Sequence, residues 1–455
     1  MANSRKQLLA EVQNTVWRAL QRHIQEGDHL CVGLSGGLDS MVLLALLQTL
    51  APRGVFRLSA LHVNHQIHPE AQRWQEFCQD YCREQGIPCS VERVALAREP
   101  GESLEAVART ARYAAYAGQA ADFIALAHHQ DDQAETLLIQ LLRGAGLPGL
   151  SAMPESRLLD PQNPSPRLLR PLLQVARRDL EACAEVLHLH WVQDPSNDQR
   201  AYVRNFLRHA VAPVINERFP SWTAALGRSA RLIAQAQGLL DVLAQQDFAA
   251  CADARGIRVL AAMALGEDRA TNMLRWWIRQ QGAPSCHQAQ LQDWLRQAHA
   301  AHDRMPELSW SGWVLGRFAG YWQLHQAIDG DWVMPPLAHW PEGAIQIPGA
   351  GRLVHEPAMG SGVRLELLAQ GEISLRRRQG GERLRPRLGG PTRTLRHLFQ
   401  ESSLPPWWRD ALPLVFRGEA LICVPGVAVD AAAQTGPGEP GLQLRWEPFY
   451  AGRRT

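Results

Sequence analysis

A short segment near the N-terminus has the composition of a phosphate-binding loop. Its sequence is Ser35-Gly36-Gly37-Leu38-Asp39-Ser40. The glycines let backbone N–H groups approach a ligand closely, and the serine hydroxyls add hydrogen-bonding groups. The Asp39 carboxylate could hold Mg²⁺ on a bound phosphate. The segment predicts a nucleotide phosphate site that differs from a Walker A loop, because no Gly-Lys-Ser/Thr follows.

The elements on either side of this loop strengthen that interpretation. Residues 30–34 form a short apolar run that predicts a buried strand, and residues 41–50 predict an apolar helix. The positive end of such a helix favours a phosphate group. A plain tight turn remains the alternative for the loop taken alone.

A second group of titratable residues follows the predicted strand at 123–127. It reads His128-His129-Gln130-Asp131-Asp132-Gln133-Ala134-Glu135. Asp132 and Glu135 are three residues apart, so they share one helical face. Such a pair could hold a cation, either a metal ion or an ammonium group, while Asp131 alone could be a helix N-cap.

Almost all of the positive charge is arginine, because Lys6 is the sole lysine. Arginine suits bidentate contact with phosphate. Arg109 and Arg112 share a helical face, as do Arg204 and Arg208, and each pair could border a site or face solvent. A dense group near the C-terminus favours contact with a nucleic-acid backbone. Its members are Arg376, Arg377, Arg378, Arg383, Arg385, Arg387, Arg393 and Arg396.

The elements that must position these residues follow a repeating order. Predicted strands lie at 30–34, 58–63, 89–96 and 123–127, and predicted helices at 40–50, 70–86, 102–120 and 131–143. Alternation of this kind predicts an α/β fold with a parallel sheet. Ligands bind at the carboxyl ends of such strands, where both candidate segments fall.

The rest of the chain predicts further domains, since 455 residues, 46% of them apolar, exceed one core. Residues 154–171 are rich in Pro and Asn and predict a surface loop. A helical domain and a small α+β domain should follow, and residues 431–455 should form a partly ordered tail. The predicted domains are 1–218, 219–330 and 350–432.

Two protein classes are disfavoured by composition. No run of eighteen apolar residues occurs, which argues against a membrane protein and favours the cytoplasm. The eight cysteines are scattered without any CxxC pair, which argues against a disulfide scaffold, a zinc ribbon or an iron–sulfur site.

The motifs together resemble a known superfamily. Ser-Gly-Gly-Leu-Asp-Ser after an apolar strand is similar to the SGGxDS signature of the PP-loop, or N-type ATP pyrophosphatase, superfamily. Within it, the chain resembles the tRNA(Ile)-lysidine synthetase family over nearly its whole length. Further matching segments are His62-Val63-Asn64-His65, residues 105–113, 128–136 and 378–386, Asp194-Pro195-Ser196-Asn197, and Arg204-Asn205-Phe206-Leu207-Arg208-His209.

The resemblance implies roles for these residues. ATP would contact the loop 35–40, His62 and Val63, with Mg²⁺ on Asp39. Asp39, Arg109, Arg112, Asp132 and Glu135 would be catalytic. Lysine or tRNA would contact His129, Asp132, Glu135, Arg204, Asn205, Arg208, Arg378, Arg383 and Arg385.

The implied reaction joins free L-lysine to C2 of the wobble cytidine in isoleucine tRNA with a CAU anticodon. ATP first adenylates the C2 oxygen and releases pyrophosphate, and the ε-amine of lysine then expels AMP. A PP-loop tRNA 2-thiolation enzyme is the alternative, disfavoured by the lack of CxxC pairs. The sequence leaves the oligomeric state open, a homodimer included.

Overall fold

The structure is a computed structural model that describes residues 2–96, 103–160, 163–193, 203–300, 305–328, 331–337, 339–369, 372–402 and 404–448. The chain divides into two units, Met1–Leu239 and Leu240–Thr455, and helix α10 (Trp222–Cys251) contains the boundary between them. No described helix has both the length and the apolar character that crossing a membrane requires.

A six-stranded sheet forms the centre of the first unit. Its strands are β1 (His29–Gly33), β2 (Arg57–Asn64), β3 (Cys89–Arg93), β4 (Phe123–Ala125), β5 (Ser156–Asp160) and β6 (Asn163–Leu169). Their order is β3-β2-β1-β4-β6-β5, and only β5 runs antiparallel to its neighbour. The predicted parallel α/β fold is confirmed.

Helices cover both faces of this sheet. The helices that precede α10 in this unit are α1 (Ala2–Gln21), α2 (Leu38–Gly54), α3 (Ala71–Glu84), α4 (Leu104–Ala117), α5 (Gln130–Leu142), α6 (Leu147–Leu150), α7 (Arg177–Val186), α8 (Val203–Phe206) and α9 (Ala212–Arg218). A π-helix, Leu207–Val211, joins α8 to α9.

The side chains of β1 show why both faces are covered. Leu30 and Val32 lie in one buried cluster, whereas Cys31 between them lies in another with Tyr116. Side chains of a strand alternate between the two faces of a sheet, so β1 needs apolar partners on both sides. The strand therefore lies deep in the unit, and it delivers the loop 35–40 to the carboxyl edge of the sheet.

The predicted surface loop at 154–171 is wrong. Strands β5 and β6 form a hairpin there, and β6 joins the sheet beside β4. The prolines misled the prediction, because Pro164 and Pro166 precede the three residues, Arg167–Leu169, that pair with β4. Leu168 and Leu169 are fully buried.

The second unit begins with helices and an antiparallel sheet. Helices α11 (Val259–Ala264), α12 (Glu267–Gln280) and α13 (Gln288–Ala300) pack with strands of order β7-β8-β11-β10-β9 around Trp294 and Trp322. The strands are β7 (Ala252–Asp253), β8 (Gly256–Arg258), β9 (Glu307–Trp310), β10 (Trp313–Phe318) and β11 (Tyr321–Gln326). The predicted helices are present, but the sheet was not predicted.

The remainder of this unit is mostly β-structure around a core of its own. Its helices are α14 (Leu365–Ala369), α15 (Leu395–Glu401) and the 3₁₀ turn Pro406–Trp408. Its strands are β12 (Ile345–Ile347), β13 (Gly351–Met359), β14 (Val363–Arg364), β15 (Ile373–Arg376), β16 (Arg383–Leu384), β17 (Arg393–Thr394), β18 (Leu414–Arg417), β19 (Ala420–Val424), β20 (Ala428–Val429) and β21 (Pro440–Glu447).

The predicted tail at 431–455 is wrong for residues 440–447. Strand β21 pairs with both β13 and β14, and its alternate residues Leu442, Leu444 and Trp446 are buried. Period-two burial of this kind marks a strand with one face on a core. Residues 449–455 lie outside the described part of the chain.

The C-terminal end of α2 provides a test of the backbone geometry. Val55 follows the helix with a φ of +50°, a left-handed conformation that costs a residue with a Cβ about 1–2 kcal/mol. Its side chain is exposed, so truncation removes little buried surface. Val55→Gly should raise the free energy of unfolding by about 1 kcal/mol in urea denaturation. Val55→Ala keeps the Cβ and should therefore leave the free energy of unfolding almost unchanged. Equal gains in both variants would contradict this explanation.

Candidate active site

The loop 35–40 is held in shape by its own hydroxyl groups. The backbone N–H of Ser35 donates to Ser40 Oγ at 3.2 Å, and Ser40 Oγ donates to the carbonyl of Gly37 at 2.9 Å. The N–H of Gly37 donates to Ser35 Oγ at 3.2 Å. The serines therefore fix the turn that precedes α2.

Close packing explains the need for glycine in this loop. Gly36 has a φ of +84°, and a Cβ built there would lie 3.0 Å from Cys78 Sγ and 3.0 Å from Val192. A side chain at Gly36 would therefore meet both a strained backbone and filled space. The backbone alone can line this part of the loop.

Asp39 and His129 connect the loop to α5. The carboxylate of Asp39 lies 3.7 Å from His129 Nε2, and its Oδ1 is buried without a hydrogen-bond partner. Burial raises the pKa of Asp39, although His129 and Arg177 oppose that shift. Burial disfavours a charged His129, yet Asp131, Asp132 and Asp39 outweigh it and raise the pKa of the imidazole.

Asp131 and Asp132 have different structural roles at the start of α5. Asp131 Oδ2 accepts from the backbone N–H of Arg177, the first residue of α7, at 2.9 Å. Asp132 Oδ2 accepts from the backbone N–H of His129 at 3.0 Å. The alternative that Asp131 is a helix N-cap is therefore wrong: His129 is the N-cap of α5, and the Asp131 carboxylate accepts from the first N–H group of α7.

Arg208 lies between Asp132 and Glu135. Its Nη2 donates to Asp132 Oδ1 at 2.7 Å and to Glu135 Oε2 at 3.1 Å, and its Nε donates to Glu135 Oε1. Both carboxylates are buried. The predicted shared face of Asp132 and Glu135 is present, and a single guanidinium bridges the two.

The π-helix carries Arg208 to this position. Pro213 has no N–H to donate to the carbonyl of His209, which a continuous α-helix would require. The wider π-turn, Leu207–Val211, replaces the α-helical turn there. The sequence spacing placed Arg204 and Arg208 on one helical face. In the structure they have different partners, since Arg204 Nη2 donates to the hydroxyl of Thr136 at 3.2 Å and Arg208 donates to the two carboxylates.

The two bridged carboxylates differ in acidity. Burial raises the pKa of Glu135 despite the hydrogen bond from Arg208. Burial also acts on Asp132, but His129, His128 and Arg208 outweigh it and lower the pKa of that carboxyl. Asp132 is thus the more firmly ionised of the pair, and Glu135 is the better proton acceptor.

The other residues of the first unit that were predicted for the site differ in how deeply they are buried. His62 is buried, and its Nδ1 donates to the carbonyl of Leu34 at 2.9 Å, while Val63 follows it in β2. Asn205 is buried in α8. Exposed Arg109 donates to the hydroxyl of Tyr113 at 2.9 Å, and exposed Arg112 donates to His65 at 3.3 Å.

Some residues at the site were not predicted, and one predicted segment lies outside the described residues. His128 has a buried Nδ1 without a hydrogen-bond partner, and burial lowers its pKa to about 3. Arg177 approaches from α7, and its charge lowers the pKa of Asp39. The strand-end position of His128 could have identified it, whereas nothing in the spacing indicates Arg177. Asp194-Pro195-Ser196-Asn197 lies outside the described chain.

The C-terminal arginines fall into two groups. Four form ion pairs: Arg376 with Glu419, Arg377 with Asp331, Arg378 with Asp410 and Arg393 with Glu401. The other four are exposed and form no ion pair with a described carboxylate; they are Arg383, Arg385, Arg387 and Arg396. Within this cluster, the second group is the freer to contact an external anion.

Three family models match the chain. A PP-loop domain matches residues 6–215, a TilS substrate binding domain matches 258–322, and a TilS substrate C-terminal domain matches 373–446. The PP-loop domain is an ATP-binding domain, and its match includes the loop 35–40.

Relatives match over almost the full length. The tRNA(Ile)-lysidine synthase of Nitrosomonas europaea is 36% identical, over 98% of this chain and 98% of that protein. The chain belongs to the tRNA(Ile)-lysidine synthase family. Another member, from Coxiella burnetii, is 37% identical over 93% of this chain and 94% of that protein. The predicted resemblance to this family is confirmed.

A solved structure of another enzyme shares part of the fold. The U34-tRNA thiolase NcsA from Methanococcus maripaludis, with its 4Fe-4S cluster, covers 50% of this chain and 80% of its own, at 19% identity and a TM-score of 0.43. That similarity is too distant to bear on function.

Removal of Arg208 should have a cost that depends on pH. Arg208→Gln removes the guanidinium from two buried carboxylates, of which Asp132 keeps His129 as a partner. We expect a loss of about 2 kcal/mol in the free energy of unfolding near neutral pH, less than for a wholly buried pair. Burial raises the pKa of Glu135, so this carboxyl regains its proton first as the pH falls. The loss measured by denaturation should then shrink.

Arg204→Gln is the comparison variant, because Arg204 donates to the Thr136 hydroxyl and forms no ion pair with a described carboxylate. Its cost should be smaller and should change less with pH, since Arg204 affects Glu135 through its charge alone. A loss for Arg208→Gln that stays the same between neutral and mildly acidic pH would show that the ion pairs with Asp132 and Glu135 contribute little.

Proposed function

We propose that this chain joins free L-lysine to C2 of the wobble cytidine in isoleucine tRNA with a CAU anticodon. The reaction uses ATP, passes through an adenylated cytidine, and forms a C–N bond with release of AMP and pyrophosphate. The observation that carries the proposal is the buried pair Asp132 and Glu135 beside a PP-loop, because this pair already binds a nitrogen cation. Family membership supports the same reaction.

For the first step we assign ATP to the loop. Backbone N–H groups of residues 35–40 and the N-terminus of α2 would bind the phosphates, with His62 and Val63 on the adenine side. Arg109 and Arg112 on α4 would neutralise charge that develops on the phosphates. These groups position ATP and cytidine without any protein nucleophile.

Asp39 fits a magnesium ion. Its Oδ1 is buried without a partner, which is costly for a carboxylate oxygen unless a ligand binds it. Mg²⁺ in nucleotide sites takes one or two carboxylates together with substrate phosphates, and no described cluster of three or more acidic, His or Cys side chains suggests a fuller protein cage. Mg²⁺ would supply charge neutralisation on the phosphates.

For the second step we separate the roles of the two carboxylates. Asp132 stays ionised and would orient the ammonium group of lysine, with His129 beside it. Glu135 has the raised pKa and would accept the proton that the amine must lose before it attacks C2. Arg204, Asn205 and Arg208 would contact lysine or the RNA, and Arg208 must share or yield its carboxylate partners when lysine binds.

The thiolation alternative is opposed by the chemistry of the nearby cysteine. Cys78 lies against Gly36 of the loop, and burial raises the pKa of its thiol to about 12. A thiol with such a pKa is seldom a thiolate, so it is a poor nucleophile.

The remaining assignments concern the whole chain. We propose the domains 1–218 for catalysis, 219–330 for tRNA contact and 350–432 for tRNA binding through Arg378, Arg383 and Arg385. One matched family model falls mainly in each, and the last extends to residue 446. We also propose a cytoplasmic location. The oligomeric state stays open, and gel filtration would distinguish a monomer from a homodimer.

The reaction is tested with CAU-anticodon isoleucine tRNA, ATP and labelled L-lysine. Label should enter the RNA, and pyrophosphate should appear in equal amount. Asp39→Ala should abolish pyrophosphate release while leaving tRNA binding intact, because Asp39 belongs to the nucleotide site.

Two outcomes would redirect these assignments. Transfer of sulfur in place of lysine would overturn the ligase proposal and leave the ATP site standing. Undiminished pyrophosphate release by Asp39→Ala would overturn the assignment of Asp39. Arg53→Gln, on the exposed C-terminal turn of α2, is a control for general damage to that helix.

The two groups of C-terminal arginines predict different salt dependences of tRNA binding. Replacing Arg383, Arg385 and Arg387 with Gln should weaken binding and lower the salt slope by about one for each RNA phosphate that the protein no longer neutralises. The same change at Arg376, Arg377 and Arg393 removes ion-paired residues and should change the slope less. Equal changes in slope would contradict the division into two groups.

A further inference from the structure

A group of guanidinium side chains with no ion-pair partner among the described carboxylates lies beside the candidate active site. Arg157 on β5 and Arg109 on α4 both lie over the ring of Tyr113, with their Cζ atoms 5.3 Å and 4.8 Å from its centroid. Arg170 follows β6 directly, at the same edge of the sheet as His128 after β4. The unpredicted hairpin of β5 and β6 therefore contributes two of the three arginines.

No described carboxylate neutralises this group. None of the three guanidinium groups forms an ion pair with any side-chain carboxylate that the structure describes. Glu155, close to Arg157 in sequence, pairs instead with Arg22 at 2.6 Å and His23 at 2.9 Å. Three arginines near one another repel, and an anion that joined them would relieve this repulsion.

Arg170 has unused hydrogen-bonding capacity. The residue is 2% exposed, its Nη1 donates to the carbonyl of Pro154 at 2.8 Å, and its Nε is buried without a partner. A buried donor left unpaired costs free energy that a bound acceptor recovers. Burial, with Arg157 and Arg109 nearby, lowers the pKa of Arg170, which agrees with an excess of positive charge.

Tyr113 completes the group as a neutral donor. Its hydroxyl oxygen accepts from Arg109 Nη2 at 2.9 Å, so its own O–H remains able to donate to an anion. Burial alone would raise the pKa of this phenol, but Arg109, Arg170 and Arg157 outweigh burial and lower it. The region around Tyr113 thus favours negative charge.

We propose that Tyr113, Arg157 and Arg170 bind the α-carboxylate of the amino-acid substrate, while Arg109 holds the Tyr113 hydroxyl in place. This inference rests on the proposed function and adds the group that recognises the other end of lysine. Asp132 and Glu135 complement an ammonium group but repel a carboxylate. Arg109 and Arg170 lie close enough to His128 for their charges to lower its pKa, and Asp132 lies close enough to oppose that shift. The arginines and the carboxylate pair are therefore neighbours. Because Arg170 is deeply buried, it suits contact with a small free anion better than contact with an RNA backbone.

The site would make the enzyme select an amino acid over a diamine. Cadaverine, or 1,5-diaminopentane, is lysine without its carboxylate, so it presents the same two amines and no anion. A charge-assisted contact of this kind corresponds to a roughly 10- to 100-fold preference. Without the guanidinium group, nothing in the pair Asp132 and Glu135 would distinguish the two molecules.

The test compares kcat/KM for L-lysine and for cadaverine at saturating ATP and tRNA. In the unaltered enzyme, lysine should be preferred by roughly 10- to 100-fold. Arg170→Gln and Arg157→Gln should lower the value for lysine by about tenfold or more and leave that for cadaverine within about twofold. KM for ATP and for tRNA should not change. Arg167→Gln, on β6 and hydrogen-bonded to Ser156, is the matched control.

Several results would overturn this proposal. Equal losses for lysine and cadaverine would show a structural role only. A raised KM for tRNA with a flatter salt slope would assign the arginines to an RNA phosphate, and a raised KM for ATP would assign them to the nucleotide. If Arg170→Gln does not fold, as judged by circular dichroism, Arg157→Gln decides the matter alone, since Arg157 is only half-buried.

The proposed function and this inference fail in different ways. If the unaltered enzyme incorporates no lysine into CAU-anticodon isoleucine tRNA, the proposed function is wrong and the inference falls with it. If lysine is incorporated and the arginine variants keep the full preference over cadaverine, only the carboxylate site is wrong.

Discussion

The candidate active site depends on one arrangement, the guanidinium of Arg208 between the buried carboxylates of Asp132 and Glu135. Removing three charges from water costs several kcal/mol for each ion, and mutual attraction offsets that cost only with good geometry. The arrangement is therefore weak evidence for stability and better evidence for function. It requires α5 to start at the edge of the sheet and the π-helix to present Arg208 to it, so both elements of the fold serve this contact.

Charges of alternating sign connect this contact to the phosphate-binding loop. His129 lies 3.5 Å from Asp132 and 3.7 Å from Asp39, so a single imidazole faces carboxylates from both segments. Buried polar networks of this kind hold their members in fixed positions when each has a partner. The loop and the carboxylate pair are thereby linked through charge, although they are far apart in sequence. Asp39 Oδ1 and His129 Nδ1 both lack a hydrogen-bond partner among the described residues.

Local patterns predicted the features that depend on local sequence. The alternation of strands and helices located the parallel sheet, and a spacing of three placed Asp132 and Glu135 on one face. Spacing cannot say toward what a helix face turns, so the inward position of Arg208 was not predicted. The pairing of Arg376 with Glu419 joins residues 43 positions apart, which no local pattern can reveal. Prolines hid the hairpin at 156–169, and with it Arg157 and Arg170.

The strand that brings Arg157 to Tyr113 also forms an edge of the sheet. Both edge strands, β3 and β5, have five residues, and each carries charge: Glu92 and Arg93 on one, Arg157 and Asp160 on the other. Short, charged edges discourage the addition of strands from another molecule. The hairpin that the prolines concealed therefore acts as a barrier to aggregation, closing a parallel sheet whose apolar interior strands would otherwise present open backbone groups to neighbouring chains.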